Sequence, residues 1–573
     1  MGGGGNQHNG LEVWGVMEER YTIGCDFGTL SMRAVLVRLR DGEVVAEETF
    51  DYPHGVITGQ LPESGAPLSG PGWALQDPDD YLQALEHCVP TVVKESGVDP
   101  AAVIAMGVDF TTCTVVPLDE KLVPLCKNPR FRDRPHAWIK LWKNHTAGPE
   151  ANDITRIVAE KGWHTLDDYG FRASSEWFFS KILEIIRKDE DTYRQTYTYS
   201  EAGDYIVSQL VGKMVRSGVL AAAKGLYDNV NNRYPDKEFF RALDPRMENI
   251  VEEKHLDNIQ QVGSVAGGLT ASMAGRLGLK EGTTICVAHA DAGCALPGAG
   301  LVQPNEMLFV MGTSTCHMMM AETKEQIPGM FGVYYNGILP GYYAYEAGQG
   351  AVGDIFDWFC RRFVPQSYYE EADQRGIAIQ KLLDEKAAKL KVGESGVIAL
   401  DWMNGNRCIL QNSELTGLFM GLTLSTTAEE VYRALLEATA FGTKVIMDQF
   451  AAYHVPVKGV YACGGLAHKS PVVMQIYADV LGLPIKVSAV KQTSALSTSI
   501  FAAVAAGSAK GGYDDYATAV SRMVKPPKRE YFPIPENVER YQKLFAIYRE
   551  MHDLLGKEGS PMLRLRELQR ECL

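Results

Sequence analysis

At 573 residues the chain is too long for a single hydrophobic core, so two domains of ordinary to large size are expected. Apolar and charged fractions of 46% and 22% are those of a globular protein, no apolar run reaches the length of a bilayer crossing, and residues 1–20 lack a hydrophobic signal core. A formal net charge of −15 disfavours nucleic acid and anionic membranes as partners, while eleven cysteines without a Cys-x-x-Cys pair argue against a zinc ribbon and for a reducing cytosol.

In chain order, the Gly-rich start, residues 1–19, reads as a disordered tail. Ile23 to Val37 then reads as an apolar strand, a tight Asp26-Phe27-Gly28-Thr29 turn and a returning strand. Gly28 is expected to permit a positive φ and to remove the Cβ, so that phosphates approach the backbone closely. Successive N–H groups in such a turn form an anion-binding concavity, helped by the hydroxyls of Thr29 and Ser31. Asp26, at the strand's end, suits Mg²⁺ held through its waters. Taken alone, this stretch reads rather as an ordinary hairpin with an Asp-x-Gly turn. Glu43 to Phe50 supplies a third strand, residues 53–72 a loop, and Asp77-Pro78 the cap and first turn of a helix. Val103 to Phe110 is a buried strand ending at Thr111-Thr112-Cys113, the kind of carboxyl end where α/β sheets place ligands. Arg130 to Asn144, basic and aromatic, predicts a half-buried helix with a solvated face. Further helices are expected near Ser174–Ile186 and Ala202–Val211.

Ile285 to Cys294 resembles a strand ending in an acid, followed by small residues that start a helix. Asp291 is there well placed for base chemistry, although such an aspartate alone is more often a helix cap. His289 and His317, lacking a third partner at metal spacing, are weak grounds for a metal site. Met307 to Met318 repeats the strand–turn–strand device around Gly312-Thr313-Ser314. Two such hairpins, one in each half, suggest a duplicated domain whose turns grip one polyphosphate across a cleft. That is the α/β organisation of the actin, Hsp70 and sugar-kinase superfold. Glu346 falls in an expected Gly-containing loop before a helix over 351–359. Tyr461 to Cys463 forms a strand running into Gly464-Gly465, with a helix from about Ser470, a junction where a ring or phosphate can lie against backbone. Arg540 to Leu573 reads as charged surface helix.

Together these stretches resemble the FGGY carbohydrate kinases, from about Tyr21 to about Asp553. The resemblance is carried by the Asp26 hairpin, Trp73-Ala74-Leu75-Gln76, Gly107-Val108-Asp109-Phe110-Thr111, Pro135 to Lys143, Ala202 to Val207, Gly312-Thr313-Ser314, Tyr345 to Gln349, Leu400-Asp401-Trp402, Asn404-Gly405-Asn406-Arg407 and Ala462 to Leu466. It implies two ribonuclease-H-like domains with ATP and sugar in the cleft between them: 20–301 with the sugar and the base, 302–553 with the nucleotide, and a helical tail over 554–573. It also implies a cytoplasmic enzyme moving the γ-phosphoryl of MgATP to the 5-hydroxyl of a ketopentose, with L-ribulose and L-arabinose catabolism expected and a homodimer left open. Closure of the two domains around the substrates would keep water from the γ-phosphoryl.

Carried over residue by residue, Asp291 matches the catalytic base, and Lys224, Glu346 and the backbone near Thr112 match sugar contacts. Gly28, Thr29 and Ser31, with Gly312, Thr313 and Ser314, match the phosphate hairpins; Asp26 matches the Mg²⁺ region, and Gly464, Gly465 and Ser470 the adenosine site. The sequence departs from the family pattern at Leu30, Met32, Ala222-Ala223 and around Asp291, and at Ser470 and Ser497-Thr498 on the expected nucleotide side. These departures keep two alternatives open: a kinase for D-ribulose or xylulose, and a sugar-binding or regulatory protein with little catalysis.

Overall fold

The computed structural model describes residues 19–572, so all of the expected N-terminal tail except Glu19 lies outside the described residues. The apolar run Tyr21–Phe27 is the fully buried strand β1, which turns tightly into β2 (Ser31–Arg38) and then β3 (Val44–Asp51) as an antiparallel meander. Asp77 caps helix α1 (Pro78–Ser96), its carboxylate accepting from the Asp79 N–H, with Pro78 in the first turn. The chain then enters β4 (Val103–Phe110), parallel to β1 and in register so that Asp109 stands beside Asp26. After helix α2 (Gly218–Gly225), β5 (Val265–Gly268), β6 (Thr284–Cys286) and β7 (His289–Ala290) complete the sheet, in the order β5-β6-β4-β1-β2-β3 with β7 also on β4. Helix α3 (Asp291–Gly298) leaves directly from β7.

The second half repeats this plan. β8 (Glu306–Met311) and β9 (Thr315–Ala321) form the hairpin, followed by β10 (Gly332–Tyr335), β11 (Tyr343–Gln349) and helix α4 (Gly353–Phe363). β12 (Gly459–Cys463) runs parallel to β8 and passes into the short helix α5 (Gly465–Lys469) and then α6 (Pro471–Leu481). β13 (Ile485–Val487) and β14 (Arg529–Tyr531) finish a sheet ordered β10-β11-β9-β8-β12-β13-β14. Apart from β10, this order and its strand senses copy β3-β2-β1-β4-β6-β5, each sheet ending in an antiparallel pair. The duplication expected from two Gly-Thr hairpins is thus present in the topology, with one large apolar core on each sheet.

The halves are not consecutive blocks. Between β13 and β14 the chain crosses back, and α7 (Thr493–Ala506) and α8 (Tyr516–Met523) pack on the first sheet, where Ala495, Leu496, Ile500 and Ala503 meet Val35, Val37 and Leu39. A Cβ added at Gly24 would stand 1.8 Å from the Ala495 carbonyl oxygen, and one at Gly107 2.3 Å from that of Thr498. Backbone-to-backbone seating of this kind demands glycine on the sheet and small residues on the helix. It corrects the reading of Ser497 and Thr498 as nucleotide-side departures. Ser497 Oγ accepts the Gly298 N–H at 2.6 Å, Thr498 Oγ1 donates to the Ala495 carbonyl at 2.9 Å, and both side chains are buried in the seat of α7. Gly107→Ala is accordingly expected to destabilise the protein by about 1–3 kcal/mol, the range for overpacking a close-fitted interior. Urea unfolding should show an earlier midpoint; an unchanged midpoint would mean that α7 yields at no cost.

Three local expectations are also corrected. Arg130–Asn144 is a single 3-10 turn (Pro135–Ala137) and a two-residue strand (Ile139–Lys140) rather than a helix, because that strand pairs with Leu75–Gln76 and Lys140 is fully buried against Glu184 at 2.9 Å. Lys140 therefore has no solvated face to occupy, whereas Arg130 and Arg132 of the same run stay exposed. Glu346 sits within β11 and not in a loop, since β11 is laddered on both sides, to β9 and β10. Gly28 does not take a positive φ. Its turn closes by the Gly28 N–H donating to the Ser31 carbonyl at 3.0 Å, and the added Cβ would stand 3.3 Å from that same oxygen. The C-terminal tail is helical over Pro561–Glu571 and docks through buried Met562.

Candidate active site

The carboxyl ends of β1, β4 and β7 lie side by side, because β4 pairs in parallel with both of its neighbours. This register gathers three carboxylates from distant parts of the sequence: Asp26, Asp109 and, one residue beyond β7, Asp291. Burial first, and then the Asp26 charge, pushes the Asp291 carboxyl up to about 7. Asp291 is the first residue of α3, with Ala290 in the cap position, and one of its carboxylate oxygens accepts the Ala292 N–H of that first turn at 2.7 Å. Asp26 is bound by Arg33 at 3.3 Å.

Asp109 is fully buried, and neither of its oxygens has a hydrogen-bond partner among the described residues. Burial, followed by the charges of Asp26 and Asp291, drives its carboxyl well above the usual carboxylate range. An orphaned carboxylate facing two others fits a cation or its hydration shell. The sequence offers one signal for this residue, an acid at the end of a buried parallel strand.

The sugar-contact candidates converge beside Asp291. Lys224 ends α2 in a non-helical conformation (φ −151°, ψ 17°) and reaches across to Glu346 on β11, Nζ to Oε1 2.9 Å. Burial would lower the lysine, but Glu346 and the further acidic groups around it, Glu176 among them, together outweigh it and hold the ammonium charged. Thr112 lies in the turn after β4, next to Cys113 in the left-handed region at φ 63°. That strained turn is pinned from both sides: the Cys113 carbonyl accepts from buried Lys181, and the Thr114 N–H donates to Glu201 at 3.0 Å. Lys181 also donates to the Leu141 carbonyl at 2.8 Å, which ties the turn to Trp142, whose indole N–H donates to Thr29 Oγ1 at 3.1 Å.

On the other side, the second hairpin closes with the Gly312 N–H on the Ser314 carbonyl at 2.8 Å and leaves Gly312 and Thr313 exposed. The first turn of α4 is fastened beneath it, with Val352 N–H on the Thr313 carbonyl at 2.7 Å and Gly353 N–H on that of Gly312 at 3.1 Å. Gly464 has φ 91°, and a Cβ there would meet the Met311 carbonyl oxygen at 2.4 Å, so only glycine joins β12 to α5. Gly465 has open space around its missing Cβ. Ser470 caps α6 and donates to Asp384 at 2.6 Å.

His289 and His317 hold structure. The first bonds to the Ala290 and Ile338 carbonyls, each at 3.0 Å, and the second to Thr443 Oγ1 at 3.1 Å. No group of three His, Cys, Asp or Glu side chains is arranged as a ready-made metal cage among the described residues.

Family models match both halves of the chain: the N-terminal domain of the FGGY family of carbohydrate kinases over residues 21–298 and its C-terminal domain over 307–506. Among curated relatives, the ribulokinase of Geobacillus thermodenitrificans is 47% identical over 551 residues, covering 96% of this chain and 97% of that protein. The ribulokinase of Shouchella clausii is 48% identical, covering 96% and 98%. Among solved structures, the xylulose kinase of Rhodospirillum rubrum superposes with a TM-score of 0.76 at 23% identity over 94% of this chain and 99% of its own. The ligand-bound xylulose kinase of Lactobacillus acidophilus gives 0.77 at 20%, with the same coverage.

Proposed function

This chain belongs to the FGGY family of carbohydrate kinases, and on that premise we propose that it transfers the γ-phosphoryl group of MgATP to the 5-hydroxyl of L-ribulose. It is an ATP-dependent sugar kinase. One observation carries the mechanism: the Asp291 carboxylate stands at a strand end between the Asp26 hairpin and the Lys224–Glu346 pair, where a hydroxyl and a phosphoryl group can meet. The choice of sugar is supported by the relatives at 47–48% identity over nearly the whole chain.

In this reading the 5-hydroxyl gives its proton to Asp291 as its oxygen attacks the γ-phosphorus, and ADP departs. Lys224 donates to, and Glu346 accepts from, the sugar's oxygens, while the Thr112 turn presents backbone to it. The turn of Gly28, Thr29 and Ser31 holds the phosphates from one side and that of Gly312, Thr313 and Ser314 from the other, through the hydroxyls and the N–H groups that the turn-closing bonds of Gly28 and Gly312 leave free. Gly464 and Gly465 lay backbone against the adenosine, with Ser470 behind them capping α6. Asp26 and Asp109 are the residues that would hold the hydration shell of a Mg²⁺ carried by the nucleotide, which when bound would neutralise phosphate charge. A reducing cytosol and a homodimer complete the proposal; all eleven cysteines stand free, which supports the first.

A base must be unprotonated to act, so a carboxyl near 7 is half-active at neutral pH. The kcat/KM for sugar should therefore rise through about pH 7, reach a plateau above it and fall tenfold per unit below. A flat profile from pH 5 to 8 would remove Asp291 from this role.

The test of substrate is nucleotide consumption with L-ribulose, D-ribulose, L-xylulose and D-xylulose. L-Ribulose should give the highest kcat/KM. A clear preference for another of the four would move the assignment to that sugar and leave the chemistry as described. The weakly catalytic binding protein loses half of its warrant once Ser497 and Thr498 are seen to seat a helix.

A further inference from the structure

The motif Asn404-Gly405-Asn406-Arg407 has no part in the chemistry above, yet it delivers an arginine into the cleft. Arg407 Nη2 lies 3.4 Å from Glu176 Oε2, with side-chain exposures of 17% and 11%. The pair joins the two halves of the molecule, since Glu176 precedes the helix over 178–188 in the first half and Arg407 follows the Leu400-Asp401-Trp402 segment of the second. Lys224 and Glu346 also join the halves, with the polarity reversed: there the first half supplies the cation and the second the anion.

Both cations lie over one ring. The Arg407 guanidinium carbon is 4.0 Å from the centroid of Phe331, and Lys224 Nζ is 5.1 Å from it. Phe331 is itself fixed to the strand of Glu346, its N–H donating to the Glu346 carbonyl at 3.0 Å. Two oppositely directed ion pairs thus share one aromatic ring. Like-charge repulsion between Lys224 and Arg407 is balanced only while both carboxylates are in place. Burial would raise the Glu176 carboxyl, yet Arg407 first and Lys224 next hold it below the ordinary range. Arg407 carries five N–H donors but makes one hydrogen bond among the described residues, and the Glu176 carboxylate accepts only that one. Such a pair is not a saturated structural knot; it keeps donors and acceptors to spare.

We propose that Glu176 and Arg407 are positioning residues for the sugar: their cross-cleft pair, coupled through Phe331, sets the Lys224–Glu346 geometry and holds the halves at the spacing at which the sugar is gripped. This rests on the sugar-kinase reading above. Neither residue moves a proton or a phosphoryl group, and each acts through the sugar contacts.

The test compares Arg407→Met, Arg407→Lys, Glu176→Gln and the double variant Glu176→Gln/Arg407→Met by steady-state kinetics, sugar calorimetry and thermal melting. Arg407→Met and Glu176→Gln should each raise the sugar KM and calorimetric Kd by about tenfold or more, because small misplacements of gripping groups are costly. The KM for ATP should stay within about twofold, since no phosphate or adenosine group is touched. Lysine keeps the charge without the planar stack and should recover only part of the loss. The double variant should be no worse than Arg407→Met alone, as expected when two residues act as a unit. Glu176→Gln, neutral and isosteric, keeps the comparison readable where an arginine variant does not fold. Unchanged sugar affinity in Arg407→Met or Glu176→Gln, or a double loss equal to the product of the single losses, would overturn the inference. Absence of turnover by the unsubstituted chain with any ketopentose would instead count against the kinase reading, and calorimetry would still compare the variants.

Discussion

Asp291→Asn is expected to reduce sugar-dependent ATP turnover by about 100- to 10,000-fold, the usual contribution of a positioned general base. The residue stands just beyond β7, within electrostatic reach of Asp26, Lys224 and Glu346, which is where the proposed mechanism puts its base. Asparagine keeps the size and the hydrogen bond from Ala292 but cannot take a proton. Sugar binding measured by calorimetry should survive, because the Lys224 and Glu346 contacts are untouched. Turnover within about tenfold of the unsubstituted chain would mean that the proton leaves by another route, for the loss would then fall below the general-base range.

The second large effect concerns the buried pair across the cleft. Lys224→Met leaves Glu346 as an uncompensated buried anion, a change that costs roughly 3–5 kcal/mol in comparable sites. The kcat/KM for sugar should fall as well, each charge-assisted hydrogen bond to substrate being worth about 1.5–3 kcal/mol. The two losses separate in the double variant Lys224→Met/Glu346→Gln. Removing both charges should recover much of the stability in urea unfolding and none of the activity. Recovered activity in the double variant would show that the pair is a structural tie between the halves and not a sugar contact.

The sequence made the hairpins legible because they are local: an apolar strand, a short Gly-Thr turn and an apolar return are spelled out in consecutive residues around Gly28 and Gly312. Asp77-Pro78 announced its helix for the same reason. Asp291, Lys224 and Glu346 follow from the resemblance, and the structure brings them together from the start of α3, the end of α2 and the middle of β11. What stayed hidden is what only tertiary contact decides. Within the basic run at 130–144 Arg130 and Arg132 are exposed as the pattern reads, but nothing local shows that Lys140 is buried on Glu184, from a helix some forty residues away. Ser497 and Thr498 look like substitutions in a nucleotide site until α7 is seen lying on Gly24 and Gly107 of the other sheet. Asp109 was legible as a strand end but not as an unpaired acid, because its isolation depends on which strands flank β4. Arg407 and Glu176 carry no sequence signal for their pairing at all, being 231 residues apart.

The most direct measurement is the fate of the phosphoryl group when L-ribulose labelled with carbon-13 at C5 is incubated with MgATP and the protein. Carbon–phosphorus coupling should appear at C5, with ADP formed in equal amount and no ADP formed without sugar. Coupling at another carbon, or ADP released at the same rate whether or not L-ribulose is present, would contradict phosphoryl transfer to the 5-hydroxyl.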